Sequence, residues 1–237
     1  MPNPLRRSVS AGTSLLVPAL LLCLFSFTAS EAFAQDTPAP FPFQKQLDRM
    51  DLAVSVTGVI NSDVNGIEQR DATSTHNNLA ISPSSTVGEL ITLRYTAKPY
   101  VGFEYNFGNF RNAQNYTYTP KLPSNQLTSA QAGVHEITLG YVAHPRKIFG
   151  VQPYLGVGGG TIHFTPTSGG GEGLPFQYRA VYYYSFGVEQ NFPSSHFGVR
   201  AGFRQLIYLA PDFGENYLTI TRRTRTSEPT FGFFARF

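Results

Sequence analysis

Tryptophan is absent from this chain, cysteine occurs once, methionine twice, and charged residues fill only 14% of its 237 positions. The single cysteine, Cys23, excludes an internal disulfide framework and a cysteine-based metal site. Runs of one charge are missing too: 18 basic and 15 acidic side chains give a balance that offers no ground for nucleic acid as a partner. Beyond the N-terminus no apolar run approaches the ~20 residues that a spanning helix needs. No stretch repeats with the period of a helix either. An exported soluble protein or a membrane β-barrel remains.

What is present begins with targeting. Arg6 and Arg7 precede the apolar stretch LLVPALLLCLFSF (Leu15 to Phe27), and Ala32-Phe33-Ala34 supplies small residues for cleavage. This three-part pattern predicts a secretory signal over 1–34. The apolar run is too short for an anchor and is interrupted by Pro18, and Leu22 before Cys23 does not suit lipoprotein processing. Cleavage after Ala34 removes Arg6, Arg7, Glu31 and the only cysteine, leaving 16 basic and 14 acidic side chains. Residues 35–48 are rich in proline near their start and read as an extended linker. A single domain over 49–237 follows from the remaining length.

Within that domain eight segments alternate with period two, near 51–60, 87–97, 100–110, 133–142, 151–163, 177–190, 196–208 and 227–237. In YVGFEYNFGNF, Val101, Phe103, Tyr105 and Phe107 share one face, with Gly102, Glu104, Asn106 and Gly108 opposite. Elsewhere the apolar faces hold residues such as Val54 and Val56, Ile91 and Leu93, Leu139 and Tyr141, Tyr182 and Tyr184, or Phe231 and Phe233. None of these faces carries Asp, Glu, Lys or Arg. The charges Arg94, Glu104, Glu136, Arg179, Glu189, Arg200, Arg204 and Arg236 all fall on the other face, among glycines.

That polarity separates two barrels. A lipocalin-like binder keeps its apolar residues inside, whereas a transmembrane barrel turns them to lipid. Charges confined to one face favour the second, an all-β, eight-stranded antiparallel up-and-down barrel. Connections alternate between short (97–99, 143–150, 191–196) and long (61–86, 111–132, 164–176, 209–226), as periplasmic turns and external loops do. Tyr100, Tyr105, Tyr141, Tyr154, Tyr182, Tyr184 and Tyr208 are expected in interfacial girdles in place of tryptophan. Pro153, within a strand, and Gln205, on an outward face, fit less well.

The signal segment, the unit LRYTAKPYVGFEYNFG (Leu93 to Gly108) and the terminal FGFFARF carry a resemblance to the eight-stranded outer-membrane β-barrel family, the OmpA-like and OmpX-like transmembrane domains. The resemblance implies an integral outer-membrane location in a Gram-negative cell envelope and assembly by the barrel-assembly machinery. It marks Phe237, the terminal aromatic, as the residue that machinery reads. It implies a monomer in contact with outer-membrane lipid and lipopolysaccharide, and no enzyme activity.

The inward charges are expected to interlock and close a lumen just wide enough for side chains; a narrow ion path is the sharper alternative. Glu104 and Glu136 could neighbour each other as paired carboxylates, but arginines stand ready to hold each of them. A lipid A-modifying enzyme would place a His and a Ser on the outer surface. His135 and His163 lie near the external strand ends, yet no His-x-Ser occurs, so no catalytic residue is assigned. The five histidines lack ligand spacing, and GVGGG and GGGEG lack the Lys-Ser/Thr and helix of a phosphate loop. No metal or cofactor is therefore expected. In TRRTRTSE, Arg222, Arg223 and Arg225 could grip lipopolysaccharide phosphates. The function read from all this is a closed or nearly closed barrel that serves envelope integrity or surface interaction through four external loops. A small passive pore is the alternative.

Overall fold

The computed structural model describes residues 43–68, 77–119, 127–168, 170–193, 196–214, 218–219 and 222–237. The expected signal segment lies outside the described residues, as does the linker up to residue 42; a single helical turn, Gln44–Leu47, precedes the first strand. Eleven strands follow: β1 (Met50–Asn61), β2 (Val64–Glu68), β3 (Asn77–Pro83), β4 (Thr86–Lys98), β5 (Val101–Thr119), β6 (Ser129–Ala143), β7 (Gln152–Pro166), β8 (Gln177–Asn191), β9 (Phe197–Leu209), β10 (Leu218–Thr219) and β11 (Arg223–Arg236).

Eight of them close an antiparallel ring in the order β1-β4-β5-β6-β7-β8-β9-β11, with β11 returning to β1. Alternation explains the closure. Every ring strand has one face that must leave water, and all but β7 carry charge on the other; a closed sheet separates the two while leaving no open edge within the ring. The outer surface carries Val54, Val56, Ile91, Phe103, Leu139, Tyr141, Val157, Tyr182, Phe186, Phe231 and Phe233, all exposed. A belt of this kind is the lipid-facing surface of a transmembrane barrel. Tyr100, Tyr105, Tyr141, Tyr182 and Tyr184 belong to the outer surface as expected. Tyr154 and Tyr208 do not: both are buried inside the ring. A period of two applied to strand β7 from Leu155, or to β9 from Ile207, already places them there.

The strands outrun their apolar alternation at the end bearing the long connections. β5 reaches Thr119 and β6 starts at Ser129, with pairing continuous from Val101–Ala143 to Asn115–Ser129. Past Phe107 the outward residues of β5 are Asn109, Arg111, Ala113, Asn115 and Thr117, so hydrogen bonding continues where the strong apolar signal stops. The expected loops 61–86 and 209–226 also contain strands. Hairpin β2–β3 lies on the outer end of β5, with Ile81 opposite Tyr116, and β10 adds to β2. These segments are short and set among Ser, Asn and Asp, which hid them.

Two prolines meet the ladder differently, and Pro153 does not break it: β7–β8 pairing runs through Pro153–Val188. Pro153 is the second residue of β7 and precedes Leu155, where pairing with β6 begins opposite Ala143. Pro229 sits at the closing seam: β1–β11 pairing runs from Asp51–Arg236 to Thr57–Thr230 and resumes only at Ile60–Ser227. Proline has no N–H to donate, and the intervening Gly58 and Val59 are left without a ladder partner there. Gln205 faces outward as expected and accepts a hydrogen bond from the Ser227 hydroxyl, 3.1 Å away.

Candidate functional site

The interior is built in two unlike halves. Toward the short turns the inward residues are charged. Toward the long connections they are apolar: Val59, Leu79, Ile81, Phe110, Val134, Ile162, Phe164, Leu206 and Phe213 pack as one cluster. The expectation of a small or polar inner face therefore holds only for the turn half. Leu79 and Ile81 come from the β2–β3 hairpin, which brings its apolar side chains into that cluster.

The charged half contains two arginine-centred groups whose paired side chains are at most 5% exposed. In the first, Arg94 donates to Glu104 at 2.8 Å and to Glu189. Arg200 donates to the same Glu189 at 2.9 Å and to Asp51 at 2.6 Å. Five strands thus meet at one knot of charge. In the second, Arg204 donates to Glu136 and, at 3.0 Å, to Glu228. Tyr183 joins the groups: its hydroxyl donates to Glu104 at 2.9 Å, and the Arg204 guanidinium lies 5.0 Å above its ring. Room for that ring comes from Gly140 and Gly158. A Cβ on Gly158 would stand 2.6 Å from the Tyr183 ring, and one on Gly140 would overlap its hydroxyl. The glycine stretch GVGGG is thus a packing requirement.

The remaining expected members lie apart. Arg236 is at the turn-end rim, 40% exposed and 3.6 Å from Glu189. Arg179 pairs with Asp212 at 3.0 Å near the opposite end and belongs to neither group. Glu104 and Glu136 stand on adjacent strands, but Glu104 lies opposite Gly140 and Glu136 opposite Gly108, and each is held by a different arginine. Two carboxylates were missed at first, Asp51 and Glu228. Both lie within the alternating segments 51–60 and 227–237, and their parity within β1 and β11 puts both inside, so the same rule applied to every position finds them.

His144, the first residue after β6, closes the turn end from within. Its Nε2 lies 3.3 Å from Nη1 of Arg94. A guanidinium only donates, so this nitrogen accepts and the ring is neutral with its proton on Nδ1. Burial pushes its pKa down and the Arg94 charge adds to the effect. A cavity of about 230 Å³ opens beside it at the turn end, lined by Asp48, Arg49, Asp51, Gln152 and Arg236 among others. Between the two arginine groups the free space shrinks to about 20 Å³, roughly one water.

On the outer surface His135 and His163 face each other across β6–β7 with ring centroids 6.4 Å apart, and His163 stacks on Tyr178 at 4.2 Å. Among the described residues no hydroxyl is hydrogen-bonded to either imidazole, and no set of three His, Cys, Asp or Glu could hold a metal ion. Arg222, Arg223 and Arg225 are exposed at the loop end of β11. On that strand the outward apolar run from Phe237 ends at Pro229, and Arg225 and Arg223 follow four and six residues beyond it. Phe237 is outward and exposed, its amide donating to the Met50 carbonyl at 3.3 Å.

No family model and no curated protein matches the chain in sequence. Solved structures do match in shape. The outer membrane protein OprG from Pseudomonas aeruginosa superposes with a TM-score of 0.55 at 15% identity, over 79% of this chain and 95% of that one. Neisserial surface protein A gives a TM-score of 0.50 at 15% identity, over 79% and 97%. Both neighbours are integral proteins of bacterial outer membranes.

Proposed function

From a chain with the fold of the eight-stranded outer-membrane barrels, we propose a non-enzymatic outer-membrane protein with a closed lumen, whose activity lies on its external surface. The turn end then faces the periplasm and the loop end the cell exterior. The observation that carries this reading is the stacked obstruction of the interior. A solute would have to separate the Arg94–Glu104–Glu189 and Arg204–Glu136–Glu228 groups and then pass the packed cluster around Phe110, Phe164 and Leu206. Separating buried ion pairs costs several kcal/mol per charge, which a passive solute does not supply. In planar bilayers the refolded mature chain is expected to give no single-channel steps, with heat-modifiable gel mobility showing that the barrel has formed. Steady conductance altered in an Arg204→Ala variant would make the protein a pore.

Lipopolysaccharide is the proposed partner of the loop-end arginines. Arg223 and Arg225 sit just beyond the apolar run of β11, the height at which phosphates of the outer leaflet lie. Guanidinium groups bind phosphate through paired hydrogen bonds. Replacing Arg222, Arg223 and Arg225 together by Glu should lower the amount of lipopolysaccharide co-purifying with the folded barrel. Unchanged co-purification would remove these residues from the contact.

A further inference from the structure

The connection between β6 and β7 carries a strain that the closed barrel does not need. Ile148 and Val151 bond to each other through both backbone pairs, at 2.9 and 3.0 Å, so Phe149 and Gly150 form a two-residue turn. Both have positive φ, 51° for Phe149 and 82° for Gly150. Turns of this kind favour Asn or Asp before Gly, because a bulky side chain in the left-handed region is strained. Phe149 nevertheless occupies the first position, fully exposed, with Ile148 beside it also exposed. Strain held at an exposed aromatic calls for a role that rewards the exposure.

The chemistry around this tip identifies what would cover it. Arg146 and Lys147 precede it and are exposed, and Lys98 and Tyr100 are exposed in the β4–β5 turn of the same end. No aspartate or glutamate occurs in 96–100, 143–151 or 191–197, and the first two also carry Lys98, Arg146 and Lys147, so the turns at this end hold no acid and two of them are basic. Tyr141 and Leu155, on the strands that lead into the turn, belong to the lipid-facing belt. The apolar tip therefore continues a surface that already meets acyl chains, and its cations lie where headgroups begin. Paired aromatic and basic side chains at this depth are the pattern of interfacial anchoring.

We infer that the β6–β7 turn docks on an anionic phospholipid surface, with Phe149 and Ile148 among the headgroups and Arg146 and Lys147 on their phosphates. The inference rests on the barrel spanning a bilayer with this end at one interface. Phe149 then acts as a peg that fixes the depth of the barrel from the turn side.

The absence of tryptophan makes the test direct, since Phe149→Trp is the only tryptophan in the protein that carries it. This variant would be refolded into phosphatidylcholine vesicles with and without phosphatidylglycerol, and its fluorescence challenged with brominated lipid and with aqueous iodide. Phe103→Trp, in the belt, and Glu172→Trp, in a long connection, serve as lipid and water references. The expected result is blue-shifted emission and several-fold stronger quenching by brominated lipid than for Glu172→Trp. The quenching should increase with phosphatidylglycerol, and that increase should be lost when Arg146→Glu and Lys147→Glu are added. Emission and iodide access equal to those of Glu172→Trp would overturn the inference, as would insertion indifferent to both phosphatidylglycerol and the charge reversal. Failure of brominated lipid to quench Phe103→Trp would instead sink the transmembrane reading itself.

Discussion

Replacing Arg204 by Ala should destabilise the barrel by ~3–5 kcal/mol, the cost of leaving buried charge without its partner. Among the described residues Arg204 is the one guanidinium paired with Glu136 and Glu228, and all three side chains are at most 4% exposed. Its loss would leave the Glu136 and Glu228 carboxylates, each 1% exposed, without the cation that both accept from. The variant also withdraws the cation from above the Tyr183 ring. Urea unfolding of the refolded protein in lipid vesicles, followed by tyrosine fluorescence or gel mobility, reads the shift. A companion variant sharpens the attribution. Combining Arg204→Met with Glu136→Gln and Glu228→Gln removes every charge of the group while preserving its volume, and should recover most of the loss. Arg204→Ala with unchanged stability would mean that the group does not hold the strands together.

Leu139→Arg should destabilise by ~2–4 kcal/mol, the cost of a cation on the lipid face near mid-depth. Leu139 is strongly exposed on the outer face of β6, midway between Ile137 and Tyr141 in the apolar run of that strand. Its cross-strand neighbours are Tyr105 and Gly159, so no carboxylate stands ready to receive the guanidinium. Toward either rim the penalty would fall as the side chain snorkels to water. Arg introduced at Ala143, near the turn end of the same face, is the control and should cost far less. Equal effects at 139 and 143 would contradict the assignment of this face to lipid.

Much of this architecture was legible because a barrel wall repeats one rule. A period of two, applied from any securely placed residue, sorts lipid-facing Phe103 and Leu139 from inward Glu104 and Arg204 without knowledge of their neighbours. The rule failed where its input vanished. Past Phe107 the outward face of β5 turns polar and the inward face mixes Phe110 and Tyr116 with Asn112 and Gln114, so no clean alternation announced that the strand continues to Thr119. Partners were likewise invisible. Inward parity was equally clear for Arg179 and Arg204, yet one pairs with Asp212 near the loop end and the other anchors a buried group at the centre. Which inward residues meet depends on strand stagger, and no single segment encodes stagger. The same limit explains why parity alone makes Glu104 and Glu136, near in the ring, look like a pair although separate arginines hold them.

The charged knot at the turn end also orders assembly in time. Asp51 and Arg200 are separated by 149 positions, and Arg94 and Glu189 by 95, so these pairs exist only once distant strands have come together. Neighbouring strands already supply Arg94–Glu104, Arg200–Glu189 and Arg204–Glu228, but before the ring closes Asp51 lacks Arg200 and Glu136 lacks Arg204, and burying such carboxylates in lipid is strongly unfavourable. Partly wrapped sheets are therefore penalised until the ring shuts and these carboxylates gain their arginines. The lumen charges thereby favour the closed ring over a half-built wall in the membrane.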